Sequence, residues 1–324
     1  MRDLRIAAAQ FEHRNGDKAY NLSRIRDLTR QAVEQGAEVV SFHECSISAY
    51  TFVQTHSREQ LWDLAEPVPD GPSTRELIRI AAEFRVPVLA GLFERDEAAG
   101  TIHNTYVCVT SDGVIAKHRK LHTFVSRHLT PGNQFTVFDL LGCRCGMLIC
   151  YDNNLPENVR ITAMLGAEII FMPHVTGCLP SPMPGRGTVD RAVWDNRERD
   201  PARLRQEFSG PKGRGWLLRW LPTRAWENGI YAVFTNPIGI DDDTVKNGNS
   251  MVLDPFGEVL AECHALGDDV TVALCTADKL ALSSGQRYIR ARRPELYGKL
   301  VEPSSAPPVT EPGWKLKTDR PTNS

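Results

Sequence analysis

With 324 residues, of which 41% are hydrophobic and 24% charged, the chain can bury a sizeable core in one large domain or in two. A formal net charge of −2 excludes the strongly basic composition of nucleic-acid or anionic-membrane binding, and no apolar stretch is long enough to span a bilayer. The apolar run at the N-terminus is too short for a secretory signal, so we expect a cytoplasmic enzyme or binding protein.

The first 120 residues predict strands that alternate with amphipathic helices. Leu22, Ile25 and Leu28 recur with helical spacing, and Asp112-Gly113 between two apolar runs is a hairpin signal. The sequence predicts strands at 4–11, 37–42, 86–93, 104–110 and 114–117, and helices at 20–35 and 73–84.

The rest of the chain continues this alternation around one long polar segment. Residues 176–222 are rich in proline, glycine and arginine, which indicates a partly helical insertion that runs over the surface. Because hairpins interrupt the alternation, we expect an α/β fold of mixed sheets covered by helices. Strands are predicted at 137–141, 142–150, 168–172, 230–235, 250–254, 259–263 and 270–275, and helices from 156 and over 216–229.

The stretch GCRCGMLICYDNNLPENVR, residues 142–160, predicts a strand, a tight turn and a helix around Cys150. Pro156 suits the first turn of a helix, because its missing N–H is not needed there. A thiol at a strand end, beside the backbone N–H groups of a helix start, is well placed to be a nucleophile. The alternative is that Cys150 is a buried packing residue, as free cysteines often are.

The other seven cysteines form no recognisable disulfide or metal pattern. There is no CxxC pair, and a chain of this length does not need disulfides to hold a core. Cys143 and Cys145 share one face of their predicted strand, but no further ligands lie nearby at zinc-type spacing. We therefore interpret both as packing residues and predict no metal site.

Two charged residues that follow predicted strands are candidate partners for Cys150. Glu44 follows the strand at 37–42, and Lys120 follows the strand at 114–117. A thiol is only a few per cent ionised at neutral pH, so a nucleophilic cysteine needs a base or a positive environment. If the three strands lie in one sheet, Glu44 could accept the thiol proton and Lys120 could balance the charge. The alternative is that both are ordinary surface charges.

Seven segments of the chain match one known family in order: AAAQF at 7–11, Glu44 with Tyr50 following, HRKLH at 118–122, PGNQFTVFD at 131–139, GMLICYDNNLPENVR at 146–160, RAWENGIYAVFTN at 224–236 and NSMVLDPFGEVLAE at 249–262. Together they resemble the nitrilase, or carbon–nitrogen hydrolase, superfamily. The resemblance implies a four-layer α-β-β-α sandwich over residues 1–280 that includes the insertion, a homo-oligomer, and an extension at 281–324 that forms an arm at a subunit interface. It implies no metal or organic cofactor.

The resemblance also implies a catalytic set of Glu44, Lys120 and Cys150. In that set, Glu44 accepts the thiol proton, the thiolate attacks an amide or nitrile carbon, and Lys120 stabilises the oxyanion with the backbone N–H of the residue after the cysteine. Glu44 then protonates the leaving amine and activates the water that hydrolyses the thioester. For His174 a surface loop position is the alternative. The implied oxyanion- or substrate-binding residues are Tyr151, His128, His174, Tyr50 and Asn153.

The chain departs from the family at two places close to these residues. Many members have proline before the first glutamate, where this chain has His43. Many also carry a second glutamate shortly before the PG segment, but LHTFVSRHLTPG contains no carboxylate. Either His128 or Ser126 fills that role, or the substrate pocket differs.

The residues after the nucleophile indicate the substrate class. By resemblance, a CYD context favours hydrolysis of a small linear amide or N-carbamoyl compound, whereas true nitrilases more often show CWE. A nitrilase, an acyltransferase that passes the thioester to an amine, and a non-catalytic binding protein on the same fold are the alternatives. The expected partner is a small molecule, with no nucleic acid and no membrane involved.

Overall fold

The computed structural model describes residues 1–123 and 125–303. Strands are numbered in chain order. The described residues contain fourteen: β1 (Leu4–Gln10), β2 (Val39–Ser41), β3 (Val88–Asp96), β4 (Thr101–Thr110), β5 (Gly113–Arg119), β6 (Thr136–Leu140), β7 (Cys143–Met147), β8 (Ile169–Pro173), β9 (Tyr231–Thr235), β10 (Ile238–Asp241), β11 (Thr244–Asn247), β12 (Met251–Leu253), β13 (Val259–Glu262) and β14 (Asp269–Cys275).

Helices separate and follow these strands. None in the described ranges combines the length and the apolar character needed to cross a membrane. Short 3-10 turns lie at Thr51–Thr55, Cys150–Asn154, Pro294–Leu296 and Gly298–Val301. The α-helices of the described residues are α1 (Lys18–Glu34), α2 (Arg58–Leu64), α3 (Pro72–Phe84), α4 (Pro156–Met164), α5 (Arg191–Asp195), α6 (Pro201–Ser209), α7 (Arg214–Leu217), α8 (Leu221–Asn228), α9 (Ala277–Leu282) and α10 (Ser284–Arg290).

Two six-stranded mixed sheets form the centre of the fold. The first has the order β14-β1-β2-β3-β4-β5, and the second has the order β13-β12-β9-β8-β7-β6. In each sheet three neighbouring strands are parallel, β1-β2-β3 in the first and β7-β8-β9 in the second, and antiparallel strands extend both sides. The hairpin β4–β5 confirms the one predicted at Asp112-Gly113, and β12–β13 joins the strands predicted at 250–254 and 259–263 in a second hairpin.

The period-two alternation of the strands produces four layers. In β1, Ile6 and Ala8 pack between the two sheets, whereas Ala7 and Ala9 pack outward against α1 and α3. The outer face of the second sheet packs on α4 and α8. This arrangement confirms the predicted α-β-β-α sandwich. Cys143 and Cys145 lie in the core between the sheets, as their interpretation as packing residues requires.

The structure differs most from the sequence predictions after residue 176. The insertion is not only a surface excursion, because Cys178, Trp194, Leu204 and Phe208 form a buried cluster with Ile238 and Val245 of the hairpin β10–β11, which the sequence analysis missed. The single helix predicted over 216–229 is two helices, since α7 ends at Leu217 and α8 begins with proline in its first turn.

Candidate active site

Three strand ends bring Glu44, Lys120 and Cys150 together. Lys120 Nζ donates to Glu44 Oε1 at 2.6 Å, both side chains are fully buried, and the Cys150 thiol lies close enough to the Glu44 carboxylate for that charge to raise the pKa of the thiol. The sequence analysis supposed that the three strands lie in one sheet, but they lie in two. Glu44 and Lys120 follow β2 and β5 of the first sheet, whereas Cys150 follows β7 of the second. The site therefore lies where the two facing sheets end together.

Glu44 is held by donors on both carboxylate oxygens. Asn104 Nδ2 donates to Oε1 at 2.6 Å, and the backbone N–H of Val175, just past β8, donates to Oε2 at 3.1 Å. Asn104 was not predicted as a site residue, although its carbonyl oxygen also accepts from the Lys120 N–H at 2.8 Å. The available signal was a buried amide inside the apolar strand IHNTYVCV, since a buried polar side chain needs a partner.

Burial and charge set the resting protonation state of the site. Burial alone would lower the pKa of Lys120, but the adjacent Glu44 charge outweighs it and raises the pKa well above its ordinary value. Burial and the charge of Glu44 raise the pKa of Cys150 to about 12, against the opposing effect of Lys120. At neutral pH the cysteine is therefore a thiol beside a carboxylate that can accept its proton.

The turn that carries Cys150 has a strained backbone and is anchored by Asp152. Cys150 has φ of 50°, in the left-handed region that L-residues rarely occupy, and such strain clusters at functional sites. The buried Asp152 carboxylate accepts from the N–H of Ile149 at 3.1 Å and from the N–H groups of Leu121 and His122 at 3.2 and 2.9 Å. Asp152, which sequence reasoning missed, thus joins the cysteine turn to the segment that follows Lys120.

Asn153 and His174 support this turn on the helix-covered side of the second sheet. Asn153 Nδ2 donates to the carbonyl oxygens of Leu148 and Cys150 at 2.8 and 3.3 Å and lies 3.2 Å from His174 Nε2. The His174 ring is buried against Trp220, so the alternative interpretation, that His174 lies on a surface loop, is wrong. Burial, with the charge of Lys120, lowers its pKa well below the ordinary value.

The remaining predicted residues divide between the site and the surface. The Tyr50 hydroxyl lies 3.4 Å from Lys120 Nζ, inside the site. Tyr151 directly follows the nucleophile, and its side chain is 36% exposed. His128 and Ser126 line a surface cavity of about 460 Å³ together with residues 54–60.

The four layers, with a buried glutamate, lysine and cysteine at the strand ends, define a hydrolase of the nitrilase type. The carbon–nitrogen hydrolase family model matches residues 5–282, and the chain belongs to this family.

Several characterised relatives are amidases. An (R)-stereoselective amidase from Pseudomonas sp. is 32% identical over 305 residues, which cover 92% of this chain and 95% of the relative. The mouse omega-amidase NIT2 is 28% identical, with 92% and 98% covered, and a nitrilase from Pyrococcus abyssi is 28% identical, with 83% and 88% covered. Among solved structures, the amidase from Nesterenkonia sp. AN1 superimposes with a TM-score of 0.67 at 23% identity, with 92% and 97% covered.

Proposed function

We propose that the protein hydrolyses the C–N bond of a small linear amide or N-carbamoyl compound through a thioester on Cys150. The observation that carries the proposal is the fully buried Lys120–Glu44 pair, 2.6 Å apart, whose charges both act on the Cys150 thiol. Relatives named as amidases, which match nearly the whole chain, support an amide substrate.

Glu44 acts first as a base and then as an acid. It takes the proton of Cys150 as the sulfur attacks the carbonyl carbon, so that the thiolate forms only during attack. The oxyanion of the tetrahedral intermediate is stabilised by Lys120 Nζ and the backbone N–H of Tyr151. When the C–N bond breaks, Glu44 gives its proton to the departing amine, and a thioester remains.

The second half-reaction uses the same groups with water. Water attacks the thioester carbon, Glu44 takes a proton from it, and the oxyanion returns to Lys120 and Tyr151. Collapse of this intermediate releases the carboxylic acid, and the proton on Glu44 returns to the Cys150 sulfur. No redox step occurs, and the hydrogen-bond network that holds Glu44 through Asn104 and Val175 is used in both halves.

A matched substrate panel tests this proposal. An amide, an N-carbamoyl compound and a nitrile of the same carbon skeleton are incubated with the enzyme, and ammonia and acid are measured. We expect ammonia and carboxylic acid from the amide, or ammonia and carbon dioxide from the N-carbamoyl compound, and none of these from Cys150→Ala. Acid from the nitrile alone would make the enzyme a nitrilase, and preferential formation of hydroxamate from added hydroxylamine would make it an acyltransferase.

Labelling with iodoacetamide separates an enzyme from a binding protein. All eight cysteines are buried and free, so preferential alkylation of Cys150 would reflect activation by its neighbours rather than exposure. A protein that turns over no substrate and shows no preference for Cys150 would be a non-catalytic member of the fold.

We further propose that the enzyme is a cytoplasmic homo-oligomer. Its eight free cysteines favour a reducing compartment. The hydrolase domain spans 1–280, and the extension at 281–324 is an arm at the subunit interface. Support comes from Leu296, Leu300 and Val301, which are 62%, 64% and 84% exposed. Residues 304–324 of this arm lie outside the described residues.

A further inference from the structure

His43, which stands where many family members have proline, is part of a buried polar chain. The side chain is fully buried, and its Nε2 lies 3.0 Å from His13 Nδ1. His13 Nε2 lies in turn 3.1 Å from Asp241 Oδ1, on the hairpin β10–β11. The mechanism above uses none of these three side chains, although His43 directly precedes Glu44.

Asp241 is the charged member of this hydrogen-bonded chain. Burial alone would raise its pKa, but the hydrogen bond from His13 and the charge of Lys246 outweigh burial and lower the pKa. Lys246 Nζ lies 3.6 Å from Oδ2, and both side chains are 1% exposed. Asp241 also accepts from the Thr51 N–H at 3.1 Å and from the Thr51 hydroxyl. The carboxylate is therefore ionised and can only accept hydrogen bonds.

The ionised carboxylate fixes the direction of its bond with His13. Because Asp241 only accepts, we assign a proton to His13 Nε2. The other ring nitrogen of His13, Nδ1, then shares one hydrogen bond with His43 Nε2. Burial, with the nearby His13, lowers the pKa of His43 well below its ordinary value, against the opposing charge of Asp241, which agrees with a neutral ring. The titratable side chains that face His43 are His13 and Asp241, and both are members of the same hydrogen-bonded chain.

The hydrogen-bonded chain contacts both ends of the segment that carries the catalytic base. One end is His43, the residue before Glu44, and the other is Thr51, the residue after Tyr50. Both Glu44 and Tyr50 contact Lys120, at 2.6 and 3.4 Å. A single carboxylate outside the catalytic cluster thus bonds directly to Thr51 at one end of the loop and, through His13, reaches His43 at the other.

This loop needs external support. Cys45 and Ala49 have φ of 47° and 66°, and left-handed backbone at residues other than glycine persists only when the surroundings over-determine it. Within the loop, the Ala49 N–H bonds to the Cys45 carbonyl at 2.8 Å, and outside it the Ile47 N–H bonds to Gly91 at 3.0 Å. The Asp241 chain adds fixed points at the two boundaries.

We propose that Asp241, through the two histidines and through Thr51, is a positioning residue that holds segment 43–51 so that Glu44 can take the thiol proton. The inference rests on the proposed role of Glu44 as base. It gives a physical reason for histidine at position 43, since proline could not continue the chain from His13 to the loop.

A pair of substitutions at position 43 tests the proposal. His43→Leu fills the space without a donor, whereas His43→Gln keeps an N–H at the reach of Nε2. The readout is the rate of Cys150 alkylation by iodoacetamide against pH, followed by peptide mass spectrometry. We expect His43→Leu to lower the rate at pH 7 by about tenfold or more and to move the profile to higher pH, because general-base assistance of this kind contributes about 100-fold or more. His43→Gln should stay close to the wild-type profile.

A second variant and a control keep the test decisive. Thr51→Val removes one bond to Asp241 at the other end of the loop, leaves the Lys246 pair intact, and should shift the profile in the same direction. Asp243→Asn changes an exposed acid in the same hairpin and should have no effect. Circular dichroism checks folding, and if His43→Leu does not fold, Thr51→Val carries the test.

The outcomes separate this inference from the proposed function. Wild-type alkylation profiles in folded His43→Leu and Thr51→Val would overturn the positioning role. A wild-type enzyme that hydrolyses no amide or N-carbamoyl compound would overturn the proposed function, whereas a shifted alkylation profile in the variants would still support the positioning role. Slower hydrolysis with a changed kcat and an unchanged KM in both variants, together with that shift, supports both.

Discussion

At the scale of single residues, the active site contains a buried ion pair that the stability of the fold does not require. Lys120 and Glu44 are a fully buried ion pair, and such a pair stabilises a fold no better than apolar residues of the same volume would. Asn104, Lys120 and the Val175 N–H all donate to Glu44, which keeps its carboxylate available as an acceptor for the Cys150 proton. The buried pair is therefore better explained by the proposed reaction than by stability.

Two buried histidines predict how stability depends on pH. Burial lowers the pKa of His43 and of His174 well below 6.5, whereas in the unfolded chain each takes up a proton near 6.5. Below about pH 6.5 the unfolded state therefore binds more protons, and the free energy of unfolding falls as the pH falls. The slope is about 1.4 kcal/mol per pH unit for each histidine until its folded-state pKa is reached.

Urea unfolding between pH 7.5 and 5 measures this slope. His43→Gln should lower the slope by up to about 1.4 kcal/mol per pH unit, because one buried group no longer titrates. His264→Gln, which changes an exposed histidine, should leave it unchanged. A stability that stays constant from pH 7 to 5 in the wild-type protein would show that the two buried rings do not control it.

Which single residues could be found from the sequence depended on position along a strand. Glu44 and Lys120 each follow a predicted strand, Cys150 ends one, and the family resemblance placed all three in one cluster. Asn104 and Asp152 were missed, because their roles arise from contacts across the chain. His128 was expected near the site in place of the second family glutamate, and the structure places it in the lining of a surface cavity.

At the scale of elements, strands with alternating or continuous apolar residues were predicted to within a few residues. The hairpin β10–β11 was missed because its turn contains no glycine or proline. Asp242 takes the left-handed conformation there, with φ of 56°, and aspartate is one of the few residues that tolerate it. Without this hairpin, the insertion lacked its packing partner and was taken for surface.

The contact between the insertion and β11 gives a prediction about Gly177. Its φ is +80°, and a Cβ built on it would lie 1.7 Å from Oδ1 of Asn247. Gly177→Ala should therefore force the start of the insertion away from β11 and lower the free energy of unfolding by about 1–3 kcal/mol beyond the cost of the backbone conformation. Thermal unfolding and tryptic cleavage within residues 180–215 measure the effect.

Gly100→Ala is the matched control for this substitution. Gly100 has a similar φ of +65°, but no atom lies within 4 Å of its built Cβ. It should cost only the left-handed backbone term of about 1–2 kcal/mol. Equal losses in the two variants, with no gain in tryptic cleavage for Gly177→Ala, would mean that the insertion does not depend on this contact.

At the scale of the whole molecule, the sequence indicated mixed sheets and helices but not which strands share a sheet. The cysteine strand β7 and the strands before Glu44 and Lys120 belong to different sheets, and only long-range pairing decides this. Local patterns carry no information on such pairing. The family resemblance supplied the four-layer arrangement that the patterns left open.

Residues 281–303 expose several apolar side chains, from which we predict an oligomer. Leu300 and Val301 are exposed, and together with Ile161 and Met164 of α4 they line a cavity of about 380 Å³. Burying a large apolar side chain contributes about 1.5–3 kcal/mol, so removing two from a subunit interface should raise the dissociation constant by about 100-fold or more. We therefore expect the double variant Leu300→Asp, Val301→Asp to be monomeric where the wild-type protein is not.

Size-exclusion chromatography with light scattering measures this over a range of protein concentrations. Ile115→Asp, which places the same charge at a 41% exposed apolar position in β5, should keep the wild-type assembly. Because Leu300 and Val301 lie outside the catalytic cluster, the monomer should retain its fold. A wild-type protein that is monomeric at all concentrations, or a double variant that assembles as the wild type does, would remove the C-terminal extension from the interface.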